Sequence, residues 1–293
     1  MPSWEGKSKT TPLGYRIFVG ILKIFGLRPA YWLLYFVAAY YVIFSRKTTT
    51  VLYQFYHNRL GYGRWKTYRY IYRNYYRFGQ TLIDKVAVQS GILNPFTYDF
   101  EGEHYLRGMV AEGKGGLLIS AHIGNWEIAG HLLKRLNTTI NVVMYDGEHE
   151  QIKAYLEQVT GGRNMNIILI REDLSHIYAI SEALQNNQLV CMHADRFMEG
   201  NKTLQAVMLG ESAALPAGPF ILASRFQVPV SFVFAFKETA RHYHLYATEP
   251  LPLQQMDKKE KMDRLLKDFV KEMENRVLQY PEQWFNYFDF WKQ

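Results

Sequence analysis

The stretch "LLISAHIGNWEIAGHLL", Leu117 to Leu133, is the most informative part of this chain. A short apolar run leads to His122, a Gly-Asn pair follows, and an amphipathic segment carrying Glu127 begins directly afterwards. A buried strand followed by a turn and a helix is the repeating unit of an α/β sheet, where functional groups collect at the ends of strands. The stretch therefore predicts both a fold class and a site around His122.

The segments on either side repeat this pattern. Short apolar runs bounded by turn residues predict buried strands, and segments of helical period lie between them. The predicted strands are "GGLLISA", "TINVVMY", "NIILI", "QLVCMH", "PVSFVFAF" and "YHLYAT". The predicted helices are residues 125–136, 148–161 and 173–187, with a last helix from about Asp257 to just before Pro281. The alternation predicts an α/β fold with a central, mostly parallel or mixed sheet flanked by helices.

An apolar segment near the N-terminus predicts a membrane anchor. The run from Ala30 to Phe44 would span roughly 22 Å as a helix, and its Tyr and Trp residues are typical of membrane interfaces. Pro29 separates it from a second apolar piece, Ile17 to Phe25, and no small-residue cleavage site follows. A buried core helix is the alternative. We expect residues 1–50 to form the anchor and residues 51–293 to form one α/β domain with helical ends.

The charge balance favours an anionic partner. Lys and Arg number 34 against 27 Asp and Glu, which gives a net charge of +7. Arg69, Arg73 and Arg77 recur every four residues in a segment that predicts a long helix ending near Gly91, so they share one face. That face is either solvated or in contact with anionic lipid head groups. No recognised nucleic-acid motif accompanies it, so nucleic acid is not expected as a partner.

His122 and Glu127 have the residue types of a proton-transfer pair. If the Gly124-Asn125 turn folds the chain back, Glu127 can accept a hydrogen bond from one imidazole nitrogen. The other nitrogen can then take a proton from a hydroxyl group. The segment "AHIGNWE" that carries the pair contains no serine, so the hydroxyl would belong to the substrate. The pattern predicts attack of an alcohol on an activated acyl group.

Metal binding is a weaker interpretation of the same residues. Glu127 and His131 are four residues apart on one predicted helical face, and His122 could supply a third ligand. The familiar zinc spacings are absent, and the single cysteine, Cys191, excludes a cysteine-based cluster and an intrachain disulfide. We therefore expect no metal and no bound cofactor.

In these residues the chain resembles the lysophospholipid acyltransferase superfamily, and within it the lipid A biosynthesis lauroyl/myristoyl acyltransferases. The resemblance rests on "YYRFGQTLIDK", "AHIGNWE", "HADRFMEG", "LGESAALPAGPFILASRFQVPVSFVF" and "YPEQWFNYF", in that order. It implies that residues 51–293 are the acyltransferase domain, with His122 as general base and Glu127 as the acid that orients it. The substrate-binding residues it implies are Asn125, Arg171, Asp195, Arg196, Gly218 and Arg225.

One segment departs from the wider superfamily. Glycerolipid acyltransferases carry Pro-Glu-Gly where this chain has Pro216-Ala217-Gly218, so simple glycerol-phosphate acylation is less favoured. Gly218 precedes Pro219 and could open a helix N-terminus toward an anionic group.

The resemblance implies a membrane-associated O-acyltransferase of the inner membrane, with its catalytic domain facing the cytoplasm. It would move a fatty acyl chain from acyl carrier protein, or from coenzyme A, to a hydroxyl of a lipid A precursor or related membrane lipid. Acyl-carrier protein or acyl-CoA would be a co-substrate, with no bound cofactor. The alternatives are another glycolipid or aminolipid acceptor, a histidine-dependent lipid hydrolase, and a non-catalytic membrane-binding protein.

Overall fold

The computed structural model describes residues 20, 22, 24–89, 96–126, 128, 136–145, 165–171, 173–251 and 256–292. The helices are α1 (Leu27–Phe44), α2 (Arg46–Tyr53), α3 (Arg64–Gln89), α4 (Glu103–Ala111), α5 (Ser175–Gln185), α6 (Ala217–Arg225) and α7 (Lys258–Gln279). The strands are β1 (Thr97–Glu101), β2 (Gly116–Ser120), β3 (Ile140–Tyr145), β4 (Met165–Ile170), β5 (Leu189–His193), β6 (Thr203–Met208), β7 (Glu211–Pro216), β8 (Val230–Lys237) and β9 (His242–Ala247).

Seven strands form one sheet in the order β1-β9-β8-β2-β5-β3-β4. All neighbouring pairs are parallel except β8 and β9. The central strand β2 is buried along its whole length, which explains why its sequence is a continuous apolar run. This confirms the predicted α/β fold class, and the six predicted strands correspond to β2, β3, β4, β5, β8 and β9. The predicted helices 125–136 and 148–161 lie mostly or wholly outside the described residues.

The structure adds three strands that the sequence pattern did not predict. β1 lies at the edge of the sheet and alternates between exposed and half-buried residues, so it has no apolar run. β6 and β7 form a separate hairpin whose two turn residues, Leu209 and Gly210, both have positive φ. Leucine seldom adopts that conformation, but here the Leu209 N–H donates to the Glu274 carboxylate of α7 at 2.8 Å. The tertiary contact compensates for a poor local turn sequence.

Helix α1 is longer than the predicted Ala30–Phe44 run. It begins at Leu27 and includes Pro29 in its first turn, so the boundary between the two apolar pieces lies at Gly26, where φ is +80°, and not at Pro29 as expected. Proline is tolerated there because the first N–H groups of a helix have no intrahelical acceptor. At about 27 Å, α1 is long and apolar enough to cross a membrane by length and composition, and 28% of it is buried inside the protein.

The buried face of α1 packs against α3. Gly79 of α3 permits the close approach, since a Cβ atom there would lie 2.3 Å from Leu34 Cδ1. The opposite face of α1 leaves large side chains exposed, including Trp32 and Phe36. One face of the apolar helix is therefore core, and the other has no cover among the described residues.

The predicted row of arginines on α3 is divided by the fold. Arg69 is exposed, whereas Arg73 forms an ion pair with Glu282 at 2.6 Å. Arg77 donates to the side chain of Gln80 at 3.0 Å. The three arginines therefore have three different environments, and the row is not a uniform solvated face.

A buried ion pair joins the N-terminal helices to the sheet. Lys237 Nζ of β8 lies 2.5 Å from Asp84 Oδ2 of α3, and both side chains are fully buried. Tyr31 of α1 and Tyr243 of β9 also donate their hydroxyls to the Asp84 carboxylate. Burial raises the pKa of Asp84 and lowers the pKa of Lys237, because each charge has left water, and each group is the other's main compensation.

We predict that Lys237→Met destabilises the protein by about 3–5 kcal/mol, because it leaves the Asp84 carboxylate buried without its cation. Urea unfolding of the full-length protein in detergent would measure this. Lys114→Met is the matched control, since Lys114 is exposed and 4.0 Å from Glu112, and it should cost less than about 1 kcal/mol. Similar small losses in both variants would contradict the prediction.

Candidate active site

His122 and Asp195 meet because β2 and β5 are parallel neighbours. Ser120, the last residue of β2, is paired with His193, the last residue of β5. The Ala194 N–H donates to the Ser120 carbonyl at 2.9 Å, which extends the pairing past the strand ends. His122 and Asp195 each lie two residues beyond that pair, so they are level with each other at the carboxyl edge of the sheet.

The Asp195 carboxylate holds His122 through two hydrogen bonds. Its Oδ1 lies 2.8 Å from His122 Nδ1, and its Oδ2 accepts the His122 backbone N–H at 3.0 Å. The Asp195 side chain is 2% exposed and the His122 side chain 19%. The carboxylate fixes the ring orientation and favours the tautomer with hydrogen on Nδ1, whose lone pair is on Nε2.

Asp195 is ionised at neutral pH. Burial alone would raise its pKa, but the electrostatic interaction and hydrogen bond with His122, together with the nearby Arg196, hold the pKa well below its ordinary value. Arg196 Nε lies 3.9 Å from Asp195 Oδ2, and Arg196 also donates to the Phe285 carbonyl at 3.0 Å. The Arg196 guanidinium thus connects the loop after β5 to the C-terminal segment, which follows α7 and includes Phe285.

His193 is a site residue that the sequence reasoning missed. Its ring centroid lies 4.3 Å from that of His122 and 5.0 Å from that of Trp126. Neither ring nitrogen has a hydrogen-bond partner among the described residues. Burial lowers the pKa of His193 well below its ordinary value, and a proton on the neighbouring His122 would lower it further, so the His193 ring is neutral. The available signal was a histidine at the end of a buried strand, in "LVCMH".

The same three side chains also have the composition of a metal site. Ligand atoms of His122, His193 and Asp195 all lie within 4.8 Å of one another. However, Asp195 already accepts two hydrogen bonds from His122, and the positive charge of Arg196 lies beside it. A dication would compete with both, so the donor set fits proton transfer better than metal binding. The alternative ligands Glu127 and His131 lie outside the described residues.

The turn after His122 is held from two sides. The Gly124 N–H donates to the Gln283 carbonyl and the Asn125 N–H donates to the Ala235 carbonyl, both at 2.8 Å. Gly124 has φ +70°, and a Cβ atom there would lie 2.0 Å from the Ala235 carbonyl oxygen. Only glycine fits this turn as the structure has it. A strand of the sheet and the C-terminal segment therefore position His122 together.

Asn125 points into the interior. It is 4% exposed, and its Nδ2 donates to the Tyr243 hydroxyl at 3.1 Å. The Tyr243 hydroxyl also donates to Asp84. The segment after His122 is therefore connected to the buried Asp84–Lys237 ion pair and, through Tyr31, to α1. The structure shows a positioning bond for Asn125; the substrate-binding role stays a prediction.

The remaining predicted residues are spread along the fold. Glu127 lies outside the described residues, so its orienting role stays a prediction. Arg171 is exposed after β4, three strands from β2, which is about 14 Å of strand spacing. Gly218 is exposed in the first turn of α6. Arg225, at the other end of α6, lies toward the edge where β8 begins, opposite to His122.

Comparison with known proteins identifies relatives of this chain. Residues 71–293 match the family described as bacterial lipid A biosynthesis acyltransferase, which confirms the resemblance inferred from the motifs. The chain is also similar to a phosphatidylinositol mannoside acyltransferase of Mycobacterium tuberculosis (strain ATCC 25618 / H37Rv), at 27% identity over 123 residues. That match covers 42% of this chain and 39% of the relative, well under half of each.

We predict that Gly124→Ala destabilises the protein by about 2–4 kcal/mol, because it combines an unfavourable φ with a clash against the β8 backbone. Gly200→Ala is the matched control, since Gly200 also has positive φ but no atom within 4 Å of the added Cβ. The control should lose only about 1–2 kcal/mol. Thermal and urea unfolding would compare the stabilities of the two variants. Equal losses of stability would contradict the predicted clash at Gly124.

The neutral His193 makes the stability of the folded protein depend on pH. The unfolded chain takes up a proton on this histidine below about pH 6.5, whereas the folded chain resists it. Stability is therefore fully present above that pH and falls as the pH decreases, by up to about 1.4 kcal/mol per pH unit from this group. His193→Gln should remove that contribution in urea titrations from about pH 7 to about pH 5. An unchanged slope in His193→Gln would refute the prediction.

Proposed function

The chain belongs to the bacterial lipid A biosynthesis acyltransferase family, and on this premise we propose that it transfers a fatty acyl chain from a thioester donor to a hydroxyl group of a membrane lipid. The observation that supports this most directly is the 2.8 Å contact between His122 Nδ1 and the buried Asp195 carboxylate. An imidazole held in this way can act as a general base, and the hydroxyl it activates can come from the acceptor lipid.

The proposed reaction uses Nε2 of His122 as the base. It takes the proton of the acceptor hydroxyl while the oxygen attacks the thioester carbonyl carbon. The new carbon–oxygen bond forms an ester, the carbon–sulfur bond breaks, and the thiolate leaves with the proton from the imidazolium. The negative charge of Asp195 stabilises the imidazolium between these two transfers.

Stabilisation of the tetrahedral oxyanion requires hydrogen-bond donors other than the backbone N–H groups of the turn after His122. The N–H groups of His122, Ile123, Gly124 and Asn125 all donate within the protein already. Arg171, which the family resemblance implies as a substrate-binding residue, lies three strands away at the same edge of the sheet. An arginine suits this role through its fixed donors, and the assignment stays a proposal.

The acyl donor and the acceptor lipid are proposed from the net charge of the protein and from the family to which it belongs. A net charge of +7 suits an acidic acyl carrier protein, with coenzyme A as the other candidate donor. The family description supports a lipid A precursor as acceptor, and the Mycobacterium relative, named for phosphatidylinositol mannoside, supports a membrane glycolipid more generally. The exposed apolar face of α1 supports membrane association, which we propose is at the cytoplasmic face of the inner membrane.

We predict that His122→Ala lowers acyl transfer by about 10²–10⁴-fold, because general-base catalysis contributes that much. Membranes containing the full-length protein would be supplied with a labelled acyl-carrier-protein thioester and a lipid A precursor, and the acylated lipid would be measured by mass spectrometry. Asp195→Asn should lower transfer as well, since it removes the charge that stabilises the imidazolium.

The control is His104→Ala, which changes an exposed histidine outside the site and should leave transfer intact. Unfolding curves of all variants separate loss of chemistry from loss of fold. Equal transfer by the wild type and His122→Ala would eliminate the mechanism. Release of free fatty acid at the same rate without acceptor lipid would identify a hydrolase instead.

A further inference from the structure

A cationic pocket lies between α1 and α3, on elements that do not contain His122. It has a volume of about 450 Å³. Arg28 reaches it from the first turn of α1, and Arg73 and Arg77 reach it from α3. Aromatic side chains complete most of the wall, among them Tyr31, Trp32, Tyr35, Tyr72 and Tyr76. None of the residues that line it is acidic.

Two of the three arginines are uncompensated within the described part of the chain. The charge of Arg73 is paired with Glu282. Arg77 donates only to neutral acceptors, the Gln80 side chain at 3.0 Å and the Glu238 carbonyl at 3.3 Å. Arg28 is exposed and forms no ion pair with a described residue. The pocket therefore has the charge that complements an anion, and guanidinium groups match a phosphate in geometry.

Contacts within the protein hold the walls of the pocket in place. Tyr35 of α1 stacks on Tyr76 of α3 with ring centroids 4.5 Å apart, and Tyr72 donates to the Tyr35 carbonyl at 3.2 Å. Gln80, which holds the Arg77 guanidinium, is itself buried. The two helices that carry the arginines are thus fixed relative to each other, so binding an anion would order side chains but would not have to order the helices.

The pocket opens onto an apolar surface. Trp32 belongs both to its lining and to the exposed face of α1, and it is 67% exposed. Phe36 and Ile43 continue that face, at 61% and 65% exposed. A free phosphate ion would use the arginines but leave this face in water. An anion with long apolar chains would use both, with aromatic rings at the boundary where they are favoured.

We propose that this pocket binds the phosphate of an anionic phospholipid, whose acyl chains lie along the exposed face of α1. Arg28 and Arg77 supply the charge, and the aromatic wall supplies the contact with the glycerol region. The lipid would hold the N-terminal helices at the bilayer surface in a defined orientation. The inference rests on the membrane association that forms part of the proposed function, and it concerns a site separate from His122.

Vesicle binding by the full-length protein tests the proposal. The probes are vesicles of phosphatidylcholine alone and of phosphatidylcholine mixed with phosphatidylglycerol, at matched ionic strength. The wild type should bind the mixed vesicles more tightly. The double variant Arg28→Gln/Arg77→Gln should lose at least about ten-fold of that preference, since each basic residue near an anionic surface contributes about five-fold, and its binding to phosphatidylcholine should be little changed.

The matched control is Arg64→Gln/Arg69→Gln, which removes the same charge from exposed positions of α3 outside the pocket. It should retain most of the preference, with unfolding curves confirming that both variants fold. Equal losses in both double variants would show diffuse electrostatic attraction and overturn the site. Displacement of the mixed vesicles by inorganic phosphate at low concentration would assign a free anion and also overturn it.

Failure of the phospholipid site and failure of membrane association give different results in these experiments. If the protein binds phosphatidylcholine vesicles without any preference for phosphatidylglycerol, the phospholipid site is wrong and membrane association stands. If it binds neither kind of vesicle, both membrane association and the site are wrong. Acyl transfer that depends on His122 would still be tested independently in detergent.

Discussion

The parallel pairing of β2 with β5 is the constraint on which the candidate site depends. It brings the residues after two strands, distant in sequence, to the same level, so that Asp195 can bond both the ring and the backbone of His122. A one-residue shift in this register would exchange the side chains that face the site, because strand residues alternate between the two faces.

A second layer of polar contacts connects this site to the N-terminal helix. The turn after His122 bonds Tyr243 through Asn125, Tyr243 bonds the Asp84 carboxylate, and Asp84 also bonds Lys237 and Tyr31 of α1. Each member is buried, so a missing partner would leave an uncompensated polar group in the core. The helix expected to contact lipid and the turn that holds the proposed general base, His122, are therefore parts of one packed structure.

The excess positive charge acquires a location only in the folded protein. A net charge of +7 indicates an anionic partner without saying where it binds. The fold pairs Arg73 with Glu282 and directs Arg77 and Arg28 from different helices into one pocket, while Arg196 lies beside Asp195. Phosphorylated lipids and acyl thioester carriers are all anionic, so the same excess can serve membrane contact and substrate attraction.

The sequence by itself determined the fold class, six strands of the main sheet, the C-terminal helix and the position of His122 at a strand end. These features depend on local patterns: continuous apolar runs, helical period and capping residues such as Asp257, whose capping box is present. It did not predict His193, the Asp195 hydrogen bonds to His122, the β6–β7 hairpin or the course of α1 through Pro29. Only the tertiary structure decided those, because they arise from strand neighbours and packed side chains far apart in the chain, and pairing across such distances leaves no period in the sequence.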